Sequence, residues 1–226
     1  MAKIIILNGS PRKKGATAKI LRQLAEELSL LGNEIDYYEI NELTFKACTG
    51  CCYCYRKGPC FIRDDAEAFS LTIEAAEGII IGSPTYSSNI SGQLKTLLDR
   101  SHLITEQLLY EKYAISVVTG KNYGNRTASK ALNQLLQYAG AQLSGKIICT
   151  TPFNHSPLKQ PKLKNKISKL AKKFDYDIKQ QRKFLFQTIF HAIIFKFGIK
   201  PFVLKKSEHN QGIINRWQKN PKLLKK

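Results

Sequence analysis

The apolar run Lys3-Ile4-Ile5-Ile6-Leu7 passes directly into Asn8-Gly9-Ser10-Pro11-Arg12 and Gly15-Ala16-Thr17, and a helical pattern begins near Ala18. A buried strand that ends in a small-residue loop and opens a helix has few ways to fold. It also makes a ready anion site, because a helix N-terminus leaves backbone N–H groups unpartnered and carries partial positive charge. Ser10 and Thr17 add hydroxyl donors, and Arg12 adds a charge-assisted one. The spacing fits neither the dinucleotide fingerprint G-x-G-x-x-G nor the P-loop G-x-x-x-x-G-K-[ST]. A loop this rich in hydroxyls suits a terminal monophosphate better than a buried pyrophosphate. The plainer alternative is an ordinary strand–helix turn of an α/β domain.

The pattern then repeats. Residues 16–31 carry a helical stripe (Ile20, Leu21, Leu24, Ala25, Leu28, Leu31) that stops at Gly32, and 34–40 alternate as a second strand. A cysteine-rich loop over 46–63 follows, and Asp64-Asp65 open a helix to about residue 76. Gly78-Ile79-Ile80-Ile81-Gly82 is a short apolar strand, 83–89 a loop, and 91–102 a helix. Strands are expected at 113–118 and 143–150, with a helix to about 139 between them. Five strands alternating with helices predict a doubly wound parallel sheet, whose ligands sit beyond the carboxyl ends of its strands. The loops at 8–17, 83–92 and 119–124 leave strand ends and are expected to converge on one crevice.

Charge divides the chain. Residues 155–226 hold 19 Lys and Arg against three acids, a net +16, whereas residues 1–154 carry only +3 of the total +19. The expectation is a nearly neutral domain over 1–154 and a basic, mainly helical extension over 155–226. The buried-strand pattern begins at once, with no export signal ahead of it, which predicts a cytoplasmic protein. Five of the six cysteines fall between Cys48 and Cys60, and in that compartment such a cluster points to metal, iron–sulfur or redox chemistry before disulfides.

The motifs Gly9-Ser10-Pro11-Arg12 with Gly15 and Thr17, Ser83-Pro84-Thr85-Tyr86 through Asn89 and Gly92, Asp99-Arg100, and the cysteine cluster together resemble the flavodoxin-like NAD(P)H-dependent FMN reductases. More narrowly, they resemble the iron–sulfur flavoproteins. The resemblance covers about residues 1–152. It implies a five-stranded sheet in the order 2-1-3-4-5, and a homodimer. It implies that Ser10, Arg12, Thr17 and Ala18 hold an FMN phosphate, that Pro84, Thr85, Tyr86 and Asn89 lie along the ribityl chain and ring, and that Gly120 approaches the ring from the other side. Tyr86 either covers a ring face or simply packs. Asp99-Arg100 reads as a helix-end pair that positions the neighbouring loop or a subunit contact.

Cys48, Cys51, Cys54 and Cys60 form C-x2-C-x2-C-x5-C, with Cys52 left over. Four thiolates this close can hold one inorganic centre, and the set suits a 4Fe–4S cube fed by a ferredoxin-like, acidic donor. A thiol-bearing loop without metal and a four-cysteine zinc site are the competing readings. Cys149, alone on the last strand, reads as a core residue. The four histidines are scattered and show no metal-ligand spacing, so the flavin itself would carry the chemistry.

The extension contains a basic helix near 162–171, then an apolar, aromatic stretch over 182–199 that Pro201 is expected to interrupt. The stretch is short and polar for a membrane span. It is expected to pack on the sheet domain or a second subunit, with a membrane-surface role as the alternative. Relatives of the resembling family carry a late tryptophan comparable to Trp217. Nucleic-acid binding finds no supporting motif. The sequence thus predicts an FMN oxidoreductase moving electrons from NAD(P)H or a reduced carrier to a quinone, flavin or other small acceptor. Its rivals are a pure iron–sulfur electron-transfer protein and a membrane- or nucleic-acid-associated binding protein on the same scaffold.

Overall fold

β1 (Lys3–Asn8) lies at the centre of a parallel sheet because both of its faces are apolar: Ile4 and Ile6 point one way, Ile5 and Leu7 the other, and all four are fully buried. A parallel sheet needs such two-faced strands, since its crossover helices cover both sides. β2 (Glu34–Glu39), β3 (Gly78–Pro84), β4 (Tyr113–Gly120) and β5 (Gln142–Thr150) complete it in the order β2-β1-β3-β4-β5. That is the predicted order, and every pairing is parallel. The computed structural model describes residues 1–152 and 155–224.

One face is covered by α3 (Asp65–Ala75), α4 (Gly92–Arg100) and α6 (Asn125–Tyr138), through Phe69, Leu94, Leu97 and Leu132. The other is covered by α1 (Ala16–Leu30) and α7 (Pro161–Lys179). Residue 154, where the globular domain was expected to end, lies outside the described residues. α7 beyond it is the basic helix of the sequence, and it buries Ile167 and Phe174 in the same core as Ile4, Ile80 and Ile147. Its lysines face outward while its apolar stripe closes the sheet. Asn33, in the turn before β2, fixes it in place by donating to Asp175 Oδ1 at 2.7 Å.

Two short helices inside stretches expected to be irregular, α2 (Tyr53–Lys57) and α5 (Leu103–Glu106), are single turns too brief to leave a periodic signal. In the extension, α8 (Leu185–Ile194) runs through a π turn over 195–199 into α9 (Lys200–Leu204), and Pro201 does not break it. Proline in a helix loses an N–H and crowds the carbonyl four residues back. Here it occupies the first turn after the π segment, where the ladder is already re-spaced. α8 also guards the sheet edge. The Gln187 side chain accepts from Leu143 N (2.8 Å) and donates to Leu143 O (3.0 Å), pairing with β5 as a further strand would. α10 (Gln211–Gln218) and α11 (Pro221–Leu224) close a small third core of Phe195, Val203, Ile213 and Trp217.

Phe174 is fully buried and so close to Gly78 that a Cβ there would lie 2.8 Å from its ring. Phe174→Ala is expected to destabilise the protein by about 3–5 kcal/mol, measured as a lowered urea midpoint. A dispensable tail would leave that midpoint unchanged.

Candidate functional site

The carboxyl ends of the strands meet as predicted, and backbone hydrogen bonds tie the loops that leave them. Gly9 N donates to Gly82 O (2.8 Å), Thr85 N to Thr119 O (2.7 Å) and Thr151 N to Gly120 O (2.9 Å). Ser91 adds a side-chain link: its Oγ donates to Gly9 O (2.6 Å) and accepts from Leu94 N (3.2 Å) to cap α4. The first loop is shaped from beneath. Fully buried Asn8 donates to Glu39 Oε2 (2.6 Å) and accepts from Ser10 N (3.2 Å), while Glu39 also accepts from Arg22 (2.8 Å).

These loops enclose a cleft of about 540 Å³, within the roughly 300–1,000 Å³ typical of small-molecule sites. Ser10, Arg12, Thr17, Pro84, Thr85, Tyr86 and Gly120 all line it, so seven of the nine predicted cofactor residues come together. Ala18 is instead buried in the first turn of α1, where only its backbone can serve a ligand. Asn89 lies outside the lining and holds a tight turn: Tyr86 and Asn89 exchange both backbone hydrogen bonds at 2.9 Å. The intervening Ser87 (φ 47°) and Ser88 (φ 64°) adopt the left-handed conformation, which costs a non-glycine residue about 1–2 kcal/mol. That turn presents Tyr86 at the mouth of the cleft.

The electrostatics suit an anion. α1 begins at Gly15 without a side-chain cap, so its first N–H groups are left for a ligand. Lys14, Lys19 and Lys121 join Arg12 in the lining, and among the described residues no acid lines it. Lys14, Thr119 and Lys121 belong to the loops expected to converge here, although no ligand role is assigned to them from the sequence. Lys19, Thr151 and His155 lie outside those loops: Lys19 comes in on the first turn of α1, and the other two from beyond the end of β5. Thr17 Oγ1 and Thr119 Oγ1 lie 2.7 Å apart, binding the first loop to the fourth strand. Thr85 Oγ1 is buried in the wall without a hydrogen-bond partner. Gly120 is needed for contact: a Cβ there would lie 2.0 Å from Asn125 Oδ1, itself buried and without a partner. Buried polar atoms rarely stay unpaired, and Thr85 lines the cleft itself.

A larger cavity of about 820 Å³ lies at the opposite, amino end of the sheet. It is lined by Glu77 and Glu111 and by none of the three motif loops, so the carboxyl-edge cleft is the better anion site.

The cysteine segment is a separate construction. Arg100, 1% exposed at the end of α4, grips both of its ends. It donates to Lys46 O (2.6 Å), to Ile62 O (3.1 Å) and to both Asp64 oxygens (2.9 Å each). Asp99 merely pairs with Lys95 on the surface. Within the clamp, Cys48, Cys51 and Cys52 are exposed, Cys54 is half-buried, Cys60 is buried, and all six cysteines of the chain are free thiols. Cys60 faces Arg100, and Cys54 faces His102. Burial works against a charged His102, but hydrogen bonds to Cys54 and Glu106 outweigh it and push the imidazole up to about 10. The amide of Tyr53 holds the Cys51 thiol below its usual range. Among the described residues no three Cys, His, Asp or Glu side chains stand together as a metal site.

The extension presses on this segment. Gly212 of α10 lies against the end of α2 so closely that a Cβ would fall 2.1 Å from Gly58 N and 2.7 Å from Cys54 O. Trp217, fully buried, donates to Thr105 O (2.9 Å), and Arg216 pairs with both Glu74 (2.8 Å) and Glu106 (3.0 Å). The predicted late tryptophan is therefore the pin that holds α10 over α2 and α5.

Residues 2–155 match the family described as NADPH-dependent FMN reductase. Over 219 residues the chain is 35% identical to an iron-sulfur flavoprotein of Clostridioides difficile, covering 95% of this chain and 97% of that one. It is 29% identical over 144 residues to an FMN reductase (NADPH) of Escherichia coli, covering 62% and 68% respectively. The fold is similar to a flavodoxin from the domain Archaea, with a TM-score of 0.54 at 12% identity over 78% of this chain and 99% of that one.

Asp64→Asn removes the partly buried carboxylate that meets the buried Arg100. Losing charge-assisted hydrogen bonds of this kind costs about 1.5–3 kcal/mol, which a urea titration would detect. Burial raises the Asp64 carboxyl, but the hydrogen bonds from Arg100 and from Lys46 N outweigh it and hold the group below its ordinary value. The pair's contribution is therefore complete above the ordinary carboxyl pKa of about 4 and is lost as pH falls through the lowered folded value. Acidification in that window should cost the wild type stability that Asp64→Asn has already lost.

Proposed function

The chain belongs to the NADPH-dependent FMN reductase family, a family of flavin-dependent oxidoreductases, and we propose that its carboxyl-edge cleft is the FMN site. The observation that carries this reading is the convergence of three strand-end loops on one acid-free cleft, with an uncapped helix N-terminus at one end and the unpartnered Thr85 hydroxyl in its wall. Ser10, Thr17 and the first-turn amides of α1, including that of Ala18, would hold the phosphate, with Arg12, Lys14 and Lys19 supplying charge. Thr85 and the backbone of Pro84 and Tyr86 would line the ribityl chain and one edge of the ring. Asn89 acts indirectly, by fixing the turn that aims Tyr86. Gly120 leaves room for the ring's opposite side.

When bound, FMN supplies hydride acceptance and its return to an acceptor, chemistry that needs no side-chain acid. The protein's part is to orient the donor and acceptor and to neutralise negative charge. Lys121 and the backbone amides at the carboxyl edge would place positive charge beside the ring of a bound FMN. The donor we infer is NAD(P)H or a reduced carrier, and the acceptor a quinone, a flavin or another small molecule. We infer a reducing, cytoplasmic setting, in which clustered cysteines serve metal or redox chemistry before disulfides. A homodimer is the assembly the resemblance implies.

We extend the proposal to the cysteine segment: Cys48, Cys51, Cys54 and Cys60 are the ligands of a 4Fe–4S cluster. Their number and thiolate chemistry suit it, and the relative from Clostridioides difficile is named an iron-sulfur flavoprotein. The thiols stand apart in this structure. The segment between the Arg100-held ends is mostly exposed and carries only one helical turn, so gathering them disturbs little core. With a cluster, a ferredoxin-like donor becomes the natural partner. Without one, the segment is a thiol-bearing loop and NAD(P)H is the donor.

The test is anaerobic purification with flavin, iron, zinc and acid-labile sulfide counted per chain. One FMN with a near-stoichiometric set of irons and sulfides supports both parts; FMN without metal removes the cluster alone. No flavin after incubation with excess FMN overturns the cleft assignment. Ser10→Ala/Thr17→Val should weaken FMN binding by roughly 10- to 100-fold, by flavin fluorescence titration, with an unchanged circular dichroism spectrum.

A further inference from the structure

The helix over Leu185–Leu204 is apolar on two opposite sides. His191, Phe195 and Val203 recur at helical spacing and are buried against the protein. His191 Nε2 lies 2.6 Å from Gln107 Oε1, and Gln187 is bonded to β5. The opposite stripe is left outside: Phe186 is 88% exposed and Phe197 72%, with Leu185, Ile189, Phe190 and Ile193 exposed alongside them. A helix apolar all round is ordinarily enclosed by protein or lipid, and an exposed patch of this kind marks an interaction surface. The segment is long and apolar enough to cross a membrane by length and composition. Its docked stripe, hydrogen-bonded to the sheet domain, keeps it on the surface instead.

Charge identifies the occupant. Between residues 178 and 207 there is no acid at all, while Lys183, Lys196, Lys205 and Lys206 are exposed around the stripe. A second copy seated on this face by a two-fold axis would bring two such sets of cations together, with no acid on either 185–204 helix to offset them. A phospholipid surface offers an apolar layer beneath an anionic one and needs no matching groove. Interfacial helices with lysine-flanked apolar faces bind in this way, lying in the plane of the membrane. We propose that the outer stripe of the 185–204 helix seats this protein on an anionic membrane surface. The proposal does not depend on the flavin or cluster assignments and can fail without them.

The test is flotation of the purified full-length protein with vesicles of phosphatidylcholine, alone or with one-third phosphatidylglycerol. The protein is expected to float with the anionic vesicles at least tenfold more than with the neutral ones, and less as salt screens the lysines. Phe186→Ser/Phe197→Ser changes only exposed side chains, so folding and flavin content should hold while flotation falls by about tenfold or more. Lys205→Glu/Lys206→Glu should weaken binding to the anionic vesicles only. Absence of flotation with anionic vesicles, or equal flotation of the phenylalanine variant, overturns the proposal. So does a wild type that self-associates in sedimentation while the phenylalanine variant is monomeric and neither binds lipid, which gives the face to a second copy. Binding to polyglutamate without binding to vesicles also overturns it and assigns the face to an acidic protein.

Discussion

All five strands of a parallel sheet end at the same edge, and the candidate cleft follows from that constraint. Each strand's exit loop must start beside its neighbours, and the backbone bonds Gly9–Gly82, Thr85–Thr119 and Thr151–Gly120 continue the ladder past the strands into the loops. The result is a cleft whose walls come from four strand ends and whose floor is sheet. The same constraint demands helices on both faces. That is why the basic α7 is committed to the core, with Phe174 and Ile167 covering strands that would otherwise lie open on one side.

Arg100 plays the corresponding role for the cysteine segment. One guanidinium, nearly inaccessible to solvent, satisfies carbonyls at residues 46 and 62 and a carboxylate at 64. A long excursion from the sheet is thereby closed at its base, while its thiols stay near the surface. The fork geometry matters: Lys at this position would offer a point charge in place of two parallel donors. From the far side, Gly212 and Trp217 bring the end of the chain down on α2. Loop chemistry and extension are thus one structural unit.

Much of this was legible in the residues. The strand–loop–helix motif at 8–17, the five-strand alternation and the converging loops all rest on local patterns, and these emerge because buried strands and amphipathic helices declare their periods in sequence. Asn89 and Ala18 were placed in the site through resemblance to a family; the structure gives Asn89 to the Tyr86 turn and leaves Ala18 only its backbone. Thr119 and Lys121 sit in a loop the sequence already placed at the crevice; Thr151 and His155 were not anticipated, since their place there depends on β5 lying next to β4. Pro201 misled for a physical reason: a proline reads as a helix break unless the turn before it is already widened.

The sequence by itself determined the fold class, the strand–loop–helix motif at 8–17 and the clustering of thiols, because those depend on neighbours along the chain and on the alternation of apolar residues. Only the tertiary structure decided what Arg100 holds, that the basic extension closes the sheet and covers the cysteine segment, and that one apolar stripe of the 185–204 helix is left outside. Those outcomes rest on contacts between residues tens to more than a hundred positions apart, where burial and hydrogen-bond satisfaction choose the partner and local pattern has no say.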